Sequence, residues 1–239
     1  MNRTAMRQQK GGPLSGDIPT HFIPATLPGY EQAGGAKGPG LDVLAKPGGD
    51  MALAHSYMKK AGYPSGKYTG GGTFQMVYDN VSPLKDTSQV AAQAFTALGF
   101  KTKATVVTRD SMYTKFCSVP AQKVPICPTV AWAKDFPDGV SMLEPTFKST
   151  NILPTNNSNW PQLRDKAIDA AMDKADPITN PSERAAAFGQ IDKMITEQVP
   201  AVPWLWDKTT GIRSKDVNGV INGFNATWDI TYSSLKGSS

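Results

Sequence analysis

The sequence is poor in the residues and motifs that most often carry chemistry. Among 239 residues there are two histidines, His21 and His55, and two cysteines, Cys117 and Cys127. Neither histidine stands at ligand spacing from the cysteines, so no metal site is expected. No nucleophile elbow, His-Glu-x-x-His helix or P-loop occurs. Gly70-Gly71-Gly72 precedes a strand-like run rather than a helix, which is the wrong order for cradling phosphate and reads as a plain loop. With no Ser or Cys motif to make either histidine a general base, the chain is expected to be no enzyme and to need no cofactor. Long hydrophobic runs are missing too: nothing approaches the roughly 20 residues that cross a bilayer. The N-terminus shows no charged segment followed by an apolar one, so nothing in it directs export. Lys and Arg outnumber Asp and Glu by 25 to 20. They are scattered, with only short pairs such as Lys59-Lys60, so no nucleic-acid partner is expected.

What is present suits an ordinary globular protein. With 39% hydrophobic residues the chain can bury a core as one large domain or two small ones. Twenty-two glycines and 19 prolines point to a loop-rich chain rather than a helical bundle.

Residues 2–10 are good helix formers that stop at Gly11-Gly12, with no capping residue expected before them. A start this abrupt looks cut. From Pro13 to Gly49 the chain reads as a long ordered loop. Asp50 is the expected N-cap of a helix that Gly62 closes, with Met51, Leu53, Ala54, Tyr57, Met58 and Ala61 on one side. Next, Thr73 to Tyr78 alternates as a strand, Pro83 to Leu98 is an amphipathic helix, and Lys103 to Thr108 is β-branched. This order predicts a βαβ crossover with parallel strands. A short helix is predicted over 110–116. Two more follow, over 163–175 and 182–198, the second with its cap near Ser182 and Arg184. Ala201 to Trp206 reads as a Pro-interrupted edge strand, with Trp204 and Trp206 as packing residues.

Cys117 and Cys127 flank a segment with two prolines that favour a turn, and look positioned to pair. A disulfide there would contribute about 3 kcal/mol and would persist in an oxidising compartment. The alternative is two reduced, buried thiols in a cytosolic protein.

The stretch from Cys127 to Leu143 is the most informative. A short apolar strand is expected to run into Trp132 and deliver Asp135 and Asp138 to a helix start. Asp138 reads as the helix cap. Asp135 comes off the strand end, where open α/β sheets bind ligands. A carboxylate beside an indole suits a cationic or ammonium group; the bland alternative is an acceptor that holds the loop together. As an acid and base pair, the two aspartates have no support from anything else in the chain.

With these residues laid out, the chain resembles the C-terminal part of a family 5 extracellular solute-binding protein, the oligopeptide- and dipeptide-binding type that serves ABC importers. Asn2-Arg3 with Gly11-Gly12 resembles the end of that family's R-x-A helix, Pro28-Gly29-Tyr30 its Gly-Tyr loop, and Ala61-Gly62-Tyr63-Pro64 its AGYP turn. Trp132-Ala133-Lys134-Asp135-Phe136-Pro137-Asp138 resembles the W-x-x-D-x-x-D-P segment, departing at Gly139, where the family often has proline. Asn156 to Trp160, Glu183-Arg184 with Ile191, and Pro200-Ala201-Val202-Pro203 resemble the later motifs. The cysteine spacing resembles an actinobacterial branch.

The resemblance implies an α/β fold of the periplasmic-binding-protein-like, type II kind, here the second lobe with a mixed sheet flanked by helices over residues 1–208. Residues 209–239 would return to pack on a missing first lobe, leaving Phe224, Trp228 and Ile230 without cover. It implies Asp135 as the partner of a peptide's α-ammonium, with Trp132 lining the site. The implied partners are a peptide or other small solute, the missing N-terminal lobe and ABC permease subunits. The implied location is extracytoplasmic, as a lipoprotein in the complete protein. A free-standing interaction domain or an inactive fragment of that fold is the other reading.

Overall fold

Strand β2, Thr73–Asp79, is the spine of the structure, a computed structural model that describes residues 1–208, 211–222 and 228–237. Its burial deepens from an exposed Thr73 to four consecutive buried residues at Met76 to Asp79. Helix α3, Leu84–Ala97, crosses to strand β3, Lys101–Val107, and the two strands pair in parallel from Thr73 opposite Lys101 to Asp79 opposite Val107. This is the predicted βαβ unit. Helix α1, Arg3–Lys10, packs on α3, and Met6, Met76, Tyr78 and Ala91 form a small core between them. The opposite face of β2 places Val77 against Met112 and Cys117.

The largest core is helical. Helices α5 (Val140–Phe147), α6 (Lys166–Ala175) and α7 (Pro181–Gln198) enclose Leu143, Ile168, Met172, Phe188, Ile191 and Ile195, with Ile23 and Leu27 supplied by the long N-terminal loop. That loop approaches α7 so closely that a Cβ on Gly189 would lie 2.5 Å from the Cβ of Gln32, which is why a glycine stands inside this helix. Lys148 ties α5 to α6 through Glu144 at 2.6 Å and Asp173 at 2.9 Å. Burial works against its charge, but these two hydrogen bonds outweigh it and raise the ammonium's pKa above the ordinary value.

Several expectations change. Asn2 does cap α1, accepting from the Ala5 N–H, and the cap of α7, close to Ser182 as read, is Asn180, which accepts from the Ser182 and Glu183 N–H groups. Helix α2, Met51–Lys60, starts at Asp50 as read, yet none of its residues is buried, and Met51 and Tyr57 are exposed. Parallel and antiparallel pairs both occur among the described residues, but in separate two-stranded sheets rather than one mixed sheet. Of 201–206 only Trp206 enters a strand: β4, Trp206–Asp207, pairs antiparallel with β1, Gly16–Asp17. Pro200 and Pro203 lack the N–H that a longer ladder needs. In the last stretch, β5 (Val217–Asn218) pairs with β8 (Ser234–Leu235), and β6 (Ile221–Asn222) with β7 (Trp228–Asp229). Ile230 is 74% exposed. Phe224 and the side chain of Trp228 lie outside what the structure describes.

Two caps carry a pH signature. Asp50 accepts from the Leu53 N–H and Asp165 from the Ile168 N–H, and these bonds to the ionised form are the largest cause of a lowered pKa at each. The stability such a group supplies is complete above its unfolded pKa of about 4 and is lost as pH falls through the lower folded value. Carboxylate NMR titration is therefore expected to place both midpoints below about 4, and an ordinary midpoint at either would contradict the capping role.

Candidate functional site

The segment that carries Trp132 and Asp135 is not a strand. Ile126 makes one parallel bridge to Met76, its carbonyl accepting from the Val77 N–H at 3.0 Å, and regular pairing ends there. Pro125 and Pro128 on either side cannot donate to a ladder. Beyond them the chain runs without regular structure to α5.

Anchors replace the ladder. The Ala131 N–H donates to the Tyr113 hydroxyl at 2.9 Å, and the Trp132 indole N–H donates to the Ser141 carbonyl at 2.7 Å. Trp132 is half-buried and meets Trp160 edge-on, with ring centroids 6.4 Å apart. Its N–H is thus occupied, and what remains for a guest is the ring. The N-cap of α5 is Gly139 rather than Asp138, but Asp138 does accept a backbone N–H at the helix start: one oxygen accepts from the Val140 N–H at 2.9 Å and the other from Arg184 at 2.6 Å. Arg184 also donates to the Ala175 and Asp176 carbonyls and lies over the Phe188 ring, 4.8 Å from its centroid. Gly139 fits this corner for a steric reason, since a Cβ there would lie 2.9 Å from the Cβ of Phe188.

Asp135 differs from Asp138. It is exposed and makes no hydrogen bond or ion pair among the described residues. The structure therefore separates the two carboxylates, one fixed at a helix start and one free three residues after the tryptophan. Of two grooves, of about 590 and 280 Å³, neither is lined by Asp135 or Trp132; the smaller adjoins this segment at Pro137, Asp138 and Gly139, beside Arg184.

Cys117 and Cys127 are bonded to each other, and the loop they close precedes this segment directly. Ser118, beside Cys117, accepts from the Trp160 indole at 3.1 Å. Tyr113 and Trp160 were invisible to sequence reasoning as neighbours of Trp132, because contacts between residues 18 or more positions apart leave no local pattern. Also unforeseen is a fully buried pair: His21 Nδ1 lies 2.8 Å from the Asp192 carboxylate, which also accepts from the Phe22 and Ile23 N–H groups and the Thr196 hydroxyl. A carboxylate only accepts, so Nδ1 carries the hydrogen. Tyr30 and Trp206 pack their rings on this imidazole.

No family model matches the sequence. A curated relative, di/tripeptide-binding protein 4 of Pseudomonas aeruginosa (strain UCBPP-PA14), is 28% identical over 92 residues, 38% of this chain and 17% of its own. Among solved structures, clavulanic acid biosynthesis oligopeptide binding protein 2 superposes with a TM-score of 0.80 at 21% identity, covering 99% of this chain and 42% of that one. The ABC transporter-associated periplasmic binding protein DppA from Helicobacter pylori, solved with the peptide STSA, gives 0.72 at 18% identity over 98% and 44%. The chain thus spans less than half the length of the solved proteins it matches. Its α/β architecture is the type II periplasmic-binding-protein-like fold that these solved proteins share.

Proposed function

We propose that this chain is the second lobe, residues 1–208, of the substrate-binding component of an ABC importer. In this reading it contributes one wall of an interlobe cleft that takes a peptide or another small cationic solute and delivers it to a permease. Residues 209–239 return to pack on the first lobe, and the complete protein works outside the cytoplasm as a membrane-anchored lipoprotein. The observation that carries the reading is the free, exposed Asp135 three residues after the anchored Trp132. An ammonium group would gain a charge-assisted hydrogen bond from the carboxylate and a cation–π contact from the indole. Neighbours in the fold named for peptide binding support the same solute class.

Titration with trialanine, followed by tryptophan fluorescence, tests it. The free-amine peptide is expected to give a saturable change that N-acetyl-trialanine does not. Asp135→Asn should weaken binding roughly 10- to 100-fold, the worth of one hydrogen bond to a charged group. Equal responses from the free and acetylated peptides would remove the role of Asp135.

A second reading, a free-standing interaction domain or inactive fragment, draws on the exposed Ile212, Ile230, Tyr232 and Leu235 near the C-terminus. It expects no solute response and concentration-dependent self-association in sedimentation.

A further inference from the structure

We propose that Tyr113 is the positioning residue of the lip that bears Trp132 and Asp135, and that it couples this lip to the disulfide-closed loop; this rests on the function proposed above. The lip has no ladder of its own, so its geometry depends on point attachments. Four hold it among the described residues, and two of them come from one π-helical turn, Met112–Cys117. The Thr129 hydroxyl meets the Met112 sulfur at 3.9 Å, the Ala131 N–H donates to the Tyr113 hydroxyl at 2.9 Å, Trp132 donates to the Ser141 carbonyl, and the Ser141 hydroxyl donates to the Phe136 carbonyl at 2.8 Å. A π-helical turn is uncommon and often marks a functional position. This one starts just past the carboxyl end of β3 and ends at Cys117.

Tyr113 is itself held from several sides. The Arg109 guanidinium lies over its ring, 5.4 Å from the centroid, with Nη2 3.4 Å from the hydroxyl. Trp160 packs on the ring at 6.1 Å and on Trp132 at 6.4 Å, and its indole N–H is tied to Ser118. The Ser118 N–H returns to the Tyr113 carbonyl at 3.1 Å. Tyr113, Ala131-Trp132, Trp160 and Ser118 therefore form a closed circuit. The phenol oxygen is the one atom in it that grips the lip backbone, at Ala131, while Ser141 holds the far end at Phe136, so displacing the phenol oxygen moves Trp132 and the stretch that leads to the carboxylate.

Tyr113→Phe removes that oxygen and leaves the ring contacts in place. In the full chain, the Ala131 amide is expected to exchange with solvent about tenfold faster, with the thermal midpoint nearly unchanged. Trialanine affinity should fall about fivefold, the scale of one neutral hydrogen bond. A purely structural tyrosine would instead lower the midpoint and leave affinity alone, and that result overturns the proposal. So does unchanged Ala131 exchange. If the wild-type chain itself ignores trialanine, the peptide reading fails, yet faster Ala131 exchange at constant stability still identifies Tyr113 as what sets the lip.

Discussion

Replacing Asp192 by alanine is expected to lower the unfolding free energy by about 4 kcal/mol, the largest effect of any single substitution considered. Four donors converge on this one carboxylate: the His21 imidazole, the Phe22 and Ile23 backbone N–H groups, and the Thr196 hydroxyl. His21 and Asp192 have no solvent-exposed side-chain surface. Removing the acceptor leaves the buried His21 and Ile23 donors unpaired at about 1–3 kcal/mol each, while water can reach the half-buried Phe22 and Thr196 donors and recovers part of their loss. The loss propagates because Asp192 sits on α7 while residues 21–23 belong to the N-terminal loop that delivers Ile23 to the helical core. Asp192→Asn keeps one acceptor but turns an amide donor towards the cluster, so an intermediate loss is expected. Urea unfolding of the three proteins checks the order, and a loss below about 1 kcal/mol for the alanine variant would show that the carboxylate does not anchor the loop.

The second large effect concerns the bond between Cys117 and Cys127. Their separation of ten positions gives a short covalent loop, whose removal from the unfolded ensemble stabilises the native chain by about 3 kcal/mol in the chain-entropy account. Cys117→Ser with Cys127→Ser should lose that amount, and the wild type in excess reductant should come to match the double variant. Because Ser118 and Trp160 stand between this loop and Trp132, the double variant should also exchange the Ala131 amide faster. Unfolding curves that coincide with and without reductant would contradict the assignment.

Much of this architecture is legible before any coordinates. The βαβ unit announces itself by alternation in Thr73 to Tyr78 followed by the helical period through Ala91 and Phe95, and both periods follow from backbone geometry alone. The cap at Asp50, and the acceptance of the Val140 N–H by Asp138, follow from side chains that accept from nearby N–H groups. The reading failed where local pattern and tertiary demand diverge. Val130 to Trp132 looks like a strand by composition, but the flanking prolines end the ladder at Ile126. The apolar side of α2 looks like a buried face, yet none of its residues is fully buried. The site was half visible: Trp132 and Asp135 stand in a recognisable segment. Tyr113, Trp160 and the His21–Asp192 pair act across 18 to 171 positions, and no periodicity records such partnerships.

The tight corner at Gly139 has a consequence for sequence drift. With only 2.9 Å between the site of a would-be Cβ and the Cβ of Phe188, position 139 cannot take a side chain while α7 stays where it is. Proline suits the backbone there, since φ is −60°, but its Cβ would meet an atom that every residue except glycine carries. A lineage that gains bulk at 139 must therefore move α7 away from this corner, and trimming Phe188 to a smaller side chain should not by itself rescue proline at 139.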